Sequence, residues 1–194
     1  MKINTGEEMK RLLQAVYKPV AASPEFKERL LQRLTQGLVM ELGKAKVIAD
    51  TVVKALEPHC DKIVVAGSIR RQKPFVNDID LVLIPRDRWN LDTALLRMGK
   101  YKMAGNKITR VEMDSIPLDI YFASEETWAT LLLIRTGSKE NNIRLASLAK
   151  KRGWRLKASG EGLFNEHGER IAGDTEESIY QALDLPWQEP WERR

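Results

Sequence analysis

The sequence predicts an α+β fold: a mixed β-sheet flanked by helices, followed by a smaller α+β subdomain at the C-terminal end. Three observations carry this. Apolar residues recur at helical spacing through the first 56 positions. Runs rich in Val and Ile at 62–66, 79–84 and 118–122, each bounded by turn residues, then read as strands. Beyond residue 124 the helical period returns, interrupted only by short strands and turns over 154–171.

Element by element, Thr5 and Glu8 form a capping-box pair ahead of Met9, Leu12, Leu13 and Val16, and Pro19 closes that helix. Ser23 and Pro24 open a second helix with Phe26, Leu30, Leu31 and Leu34 on one face. A third follows Gly43, its stripe being Ala45, Ile48, Ala49, Val52, Val53 and Leu56, and ends at Pro58. After the strands at 62–66 and 79–84, segments 100–103 and 107–113 flank Ala104-Gly105-Asn106 and suggest a hairpin. A strand over 118–122 precedes helices over 125–134, 139–152 and 175–183. The expected units are a helical extension at 1–40, a sheet domain at 41–123 and a C-terminal subdomain at 124–194.

Composition narrows the function classes. Of 194 residues 43% are hydrophobic and 30% charged, the balance of a soluble globular chain long enough for a real core. The formal charge of +5 favours a polyanionic partner. A single cysteine, Cys60, excludes an internal disulfide, and with only His59 and His167 beside it a Cys/His zinc site is not expected. The N-terminus lacks the apolar run of a signal peptide, and the apolar stretch at 129–134 is too short to span a bilayer. An intracellular, cytoplasmic protein without a membrane partner is expected, nucleoid-associated if bacterial.

Two aspartates interrupt an otherwise buried run in Asn77-Asp78-Ile79-Asp80-Leu81-Val82-Leu83-Ile84. In a strand, a spacing of two puts both carboxylates on one face while Ile79 and Leu81 point into the core. Side by side, they repel unless a cation compensates them. Oxygen donors without histidine or thiolate favour Mg²⁺ or Mn²⁺. Asp119 is a third acid inside an apolar strand; if that strand lies beside the first, the three suit a site for two ions. Gly67-Ser68 ends a strand where a close backbone approach, a hydroxyl and free N–H groups can grip a phosphate, with Arg70 and Arg71 adding positive charge. Alone, a D-x-D is commonly a turn cap and a Gly-Ser commonly a plain turn. Together they read as nucleotidyl transfer.

Gly67-Ser68-x-Arg70-Arg71, Asp78-x-Asp80 and Asp119 resemble the palm of family X DNA polymerases, the group that includes DNA polymerase beta. Thr136-Gly137-Ser138-Lys139-Glu140-Asn141-Asn142-Ile143-Arg144 is similar to that family's motif at the entry to its nucleotide-binding helix, and Gly162-Leu163-Phe164, the run from Glu176 to Leu183, Leu185-Pro186-Trp187 and Glu189-Pro190 resemble its ending. The resemblance covers about residues 41 to 194. It implies a nucleotidyltransferase palm with a small C-terminal nucleotide-binding subdomain, with Asp78, Asp80 and Asp119 holding two Mg²⁺ (or Mn²⁺) ions and Asp119 helping to activate a primer 3′-hydroxyl. It implies a nucleoside triphosphate held by Gly67, Ser68, Arg71, Arg135, Gly137, Ser138 and Asn142. The implied activity is gap-filling DNA polymerisation in repair by a monomer acting on primer/template or gapped DNA.

The chain also departs from the family. The aromatic pair usual before Thr-Gly-Ser is here Ile134-Arg135, so weakened discrimination between deoxyribose and ribose is expected. Pro117 stands where many relatives carry an arginine two residues before the third carboxylate. The first 40 residues show no Gly-x-Gly hairpin, and lyase activity is not expected. Basic clusters suit sequence-independent phosphate contacts, with Lys102, Lys107, Arg110, Arg144, Lys150 and Lys151 the candidates. Two other functions stay open: a template-independent or RNA-type nucleotidyltransferase, and a catalytically idle nucleic-acid-binding module on the same fold.

Overall fold

The computed structural model describes residues 39–193, together with Glu25, Glu28, Arg29, Leu31 and Gln32, which are helical. Apart from these five positions, the helices expected over 5–16 and 23–34 lie outside the described residues, as does the helical extension as a whole.

The described fold is α+β, as expected. Strand β1 (Met40–Glu41) leads into helix α1 (Leu42–Leu56), a 3₁₀ turn and strand β2 (Cys60–Val65). A four-residue helix α2 (Gly67–Arg70), β3 (Phe75–Val76), β4 (Ile79–Pro85), α3 (Arg88–Met98), β5 (Lys100–Met103), β6 (Ile108–Met113) and β7 (Ile116–Phe122) follow. One mixed sheet has the order β2-β4-β7-β6-β5, and only β4 and β7 run parallel. β1 and β3 pair separately as a short antiparallel ribbon.

The period of two sorts the sheet's residues. Ile79, Leu81, Leu83, Leu118 and Ile120 pack with Ala45, Ala49, Val52 and Leu56 of α1 and with Leu91 and Leu95 of α3. The alternate residues Val82 and Tyr121 meet Leu131 and Leu132 of α4 (Trp128–Thr136) on the other face. Helix α4 thus faces two ways, since its Leu133 belongs to a separate core with Leu145, Ala149, Leu163, Ile179, Tyr180 and Leu183. That core joins α5 (Lys139–Lys151), an antiparallel sheet of β8 (Arg155–Lys157), β9 (Gly162–Phe164) and β10 (Arg170–Ala172), and α6 (Glu176–Ala182).

Some boundaries differ from expectation. Gly43 lies inside α1 rather than ahead of it, and α4 starts at Trp128, after a turn in which Ser124 N–H donates to Thr127 Oγ1 at 2.8 Å. Helix α3 has no counterpart among the sequence expectations. Its buried stripe is only Leu91 and Leu95, while Trp89 and Leu96 are exposed, so its apolar period is blurred. None of the helices among the described residues is long and apolar enough to cross a membrane.

Candidate active site

Strand pairing places the candidate carboxylates. In the parallel β4–β7 pair Asp80 is opposite Asp119, and in the antiparallel β6–β7 pair Arg110 is opposite Asp119. Because Ile79, Leu81, Leu118 and Ile120 are buried beneath α1 and α3, Asp80 and Asp119 emerge on the face covered by α4. The same row ends on β2, where Ala66 N–H donates to Asp80 O at 2.8 Å and the chain turns into α2.

Gly67 makes that turn with φ of +57°, and a Cβ there would fall 1.8 Å from Oδ2 of Asp80. Only a glycine lets the loop pass this close to the carboxylate. Burial, then the charges of Asp78 and Asp119, push the Asp80 carboxyl up to about 7. Burial, then the charge of Asp119, likewise raises Asp78. Asp78 and Asp80 therefore sit in an electrostatic environment that disfavours negative charge. With Asp119 they are not drawn together as a metal-holding trio: among the described residues there is no group of three His, Cys, Asp or Glu side chains arranged to hold an ion. Asp119 is 2% exposed and receives Arg110 Nε on Oδ1 and Nη2 on Oδ2, with the Tyr121 hydroxyl donating to Oδ2 at 3.4 Å. Arg110, expected on the sequence to meet nucleic-acid phosphate, instead has a carboxylate partner within the sheet.

Beside the acids lies the phosphate-type loop. Ser68 Oγ and Arg71 Nε are buried with no hydrogen-bond partner. Burial lowers the Arg71 pKa, while the nearby Asp80, Glu140 and Asp78 oppose that shift. Arg71 Nη1 donates to Thr136 O and underlies Gly137, whose added Cβ would lie 3.0 Å from that nitrogen. The Gly137–Ser138 peptide is cis. Ser138 caps α5 by accepting from Asn141 N–H at 3.2 Å, so the helix N-terminus opens beside Arg71. Asn142 Nδ2 donates to Ile134 O at 2.8 Å, leaving its buried Oδ1 without a partner.

Arg71 thus links the turn at Gly67-Ser68 to the segment Thr136-Gly137-Ser138 that opens α5, with Asn142 one turn further on. Arg135 does not extend outward. Its guanidinium stacks on Tyr121 at 4.3 Å from the ring centroid, against the carboxylate face. Arg70 also takes another role than the phosphate contact expected: it donates to Thr136 Oγ1 at 2.7 Å and to both oxygens of Glu176, at 2.6 and 3.1 Å. Of the other basic candidates, Lys107, Lys150 and Lys151 are exposed. Lys102 pairs with Glu112 at 3.0 Å, and Arg144 donates to Asn141 Oδ1 at 3.0 Å and to Gln188.

Tyr121 and the Arg110–Asp119 pair are the site features that sequence reasoning missed. A signal for the pair was present: Asp114 and Ser115, at φ of +47° and +68°, form a two-residue hairpin turn. Counting back from that turn pairs position 110 with 119.

Residues 131–194 match the family model described as the DNA polymerase beta thumb. Over 171 residues, 82% of this chain, the sequence is 29% identical to the DNA polymerase/3'-5' exonuclease PolX of Bacillus subtilis (strain 168). The match spans 30% of that relative's length.

Proposed function

We propose that this family X DNA polymerase-like protein transfers a nucleotidyl group from a nucleoside triphosphate to a nucleic-acid 3′-hydroxyl, in the manner of a gap-filling DNA polymerase. The observation that carries the reading is the row Asp80–Asp119 on adjacent parallel strands, with the buried, unpartnered Ser68 hydroxyl and Arg71 Nε at its end.

The donor set fits divalent ions of the Mg²⁺ or Mn²⁺ kind. It consists of carboxylate oxygens alone, and burial together with the neighbouring acids makes negative charge costly on Asp78 and Asp80, a cost that a divalent cation would offset. Asp78, Asp80 and Asp119 would hold two such ions, which when bound stabilise the attacking hydroxyl and the leaving pyrophosphate. The chain's own residues do the rest. Ser68 Oγ and the turn around Gly67 offer donors to phosphate oxygens, and Arg71 contributes charge that its burial strengthens. Ser138 and the α5 N-terminus face the same anion. Asp119, on the middle strand of the row, accepts the proton of the attacking hydroxyl. Lys107, Lys150 and Lys151 offer exposed charge to a nucleic-acid backbone, consistent with a protein that works inside the cell.

Primer extension with Mg²⁺ on gapped, recessed and single-stranded DNA, one nucleotide at a time, tests this. Extension opposite a template is expected, and Asp119→Asn should lower its rate by about a thousandfold or more while salt-sensitive DNA binding persists. Nucleotide addition without a template would instead establish the template-independent reading. The Ile134-Arg135 pair supports one finer point: with no aromatic ring before Gly137, ribonucleotides should be used within about tenfold of deoxynucleotides.

A further inference from the structure

We propose that Arg110 is a resident counter-cation of the carboxylate site: it occupies both oxygens of Asp119 in the metal-free protein and must release at least one before a divalent ion is held there. This rests on the metal-dependent reading above and concerns a residue on a strand that carries none of the three acids.

The pairing is encoded in the backbone. The two-residue turn at Asp114-Ser115 fixes the β6–β7 register, and that register puts Arg110 directly across from Asp119. Both oxygens are engaged, Oδ1 by Nε and Oδ2 by Nη2, in the fork geometry that suits guanidinium and carboxylate. An arginine cannot leave such a pair by losing its proton, so it leaves only by moving.

The two partners are unequally free to move. The Asp119 side chain is 3% exposed, is held by Tyr121 as well, and lies in the middle of the sheet. The Arg110 side chain is 45% exposed. The guanidinium is therefore the part that swings away, into solvent. Its presence also accounts for a mismatch: Asp80 and Asp119 share one face of the sheet with Asp78 in the bend just ahead of β4, yet the three do not form an ion-holding group among the described residues. Asp119 already has its cation. A divalent ion then competes with an internal charge, and its apparent affinity is lowered by the fraction of molecules in which the guanidinium is bound.

Mn²⁺ titration of the full chain, followed by electron paramagnetic resonance without nucleotide or nucleic acid, tests this on wild type, Arg110→Gln, Arg110→Lys and the double variant Arg110→Gln/Asp119→Asn. Arg110→Gln is expected to bind Mn²⁺ about tenfold more tightly than wild type, because a charge-assisted, partly exposed pair has been removed. Arg110→Lys keeps the charge without the fork and should fall between the two, and it carries the test alone if the glutamine variant does not fold. The double variant should lose the gain. If wild type binds Mn²⁺ and both Arg110 single variants bind it equally or less tightly, the competition is wrong while the metal-dependent reading stands. If no variant and no wild type binds Mn²⁺, both fall.

Discussion

Asp80 carries its negative charge at a cost. Its carboxyl ionises near 3.8 in an open chain and near 7 in the fold, because burial and then Asp78 and Asp119 oppose the charge. The sign follows. The folded form holds the proton more tightly, so the favourable contribution is complete below about pH 4 and is lost as pH rises through 7. In the presence of a chelator, wild type should lose stability between pH 5 and 8 relative to Asp80→Asn, by on the order of 2 kcal/mol. Thermal melts of the two proteins across that range check this, and a constant difference in Tm would refute it. At this scale the sequence was most legible where a residue conflicts with its neighbours. Asp78 and Asp80 stand out because the strand period leaves no apolar role for them. Arg110 did not stand out, because one more arginine in a basic stretch looks like surface until the strand opposite is known. Arg135 was legible as a departure from the aromatic pattern, but its stacking on Tyr121 depends on how α4 lies across the sheet, which no local pattern encodes.

Among the elements, legibility tracked the strength of periodicity. Strands β4 and β7 are apolar runs broken by one aspartate each and were placed within a residue or two, whereas the two-residue β1 and β3 offer no alternation to read. Helix α3 escaped because only two of its side chains, Leu91 and Leu95, are fully buried, while Trp89 and Leu96 are exposed. Helix α6 was expected over 175–183, and its cap, which the sequence reading did not single out, matters beyond the helix. Thr175 Oγ1 accepts from Ser178 N–H at 3.0 Å, while Ser178 Oγ donates to Thr175 O at 2.8 Å. Glu176, the first residue of the helix, is thereby aimed inward at two arginines. Thr175→Ala is expected to lower stability by about 1 kcal/mol in urea unfolding, with Thr175→Ser restoring most of it. Equal loss in both variants would show that the hydroxyl is not what holds the turn.

Across the whole molecule, the sheet and the C-terminal core have separate apolar interiors, with α4 contributing to both. A polar device adds a second tie. Glu176, on α6, receives Arg70 from α2 at 2.6 Å and Arg193 from the chain's end at 2.8 Å, and Arg193 is fully buried against Tyr180 and Trp187. This is why Arg70 is unavailable to phosphate while its neighbour Arg71 is turned toward the carboxylates: one arginine fastens the loop to the C-terminal part, the other serves the site. No sequence pattern announces a contact between positions 106 residues apart. Removing the shared carboxylate leaves two guanidinium groups facing each other, one of them with no access to water, which costs far more than an exposed pair would. Glu176→Ala should therefore lose about 3 kcal/mol in urea unfolding, and Glu176→Gln less, because the amide oxygen still accepts one hydrogen bond. In a double-mutant cycle, Arg193→Met should recover part of the Glu176→Ala loss by removing the stranded buried charge. Additive losses from the two changes would mean that the chain's end is held by packing on Tyr180 and Trp187 alone, with the carboxylate a bystander.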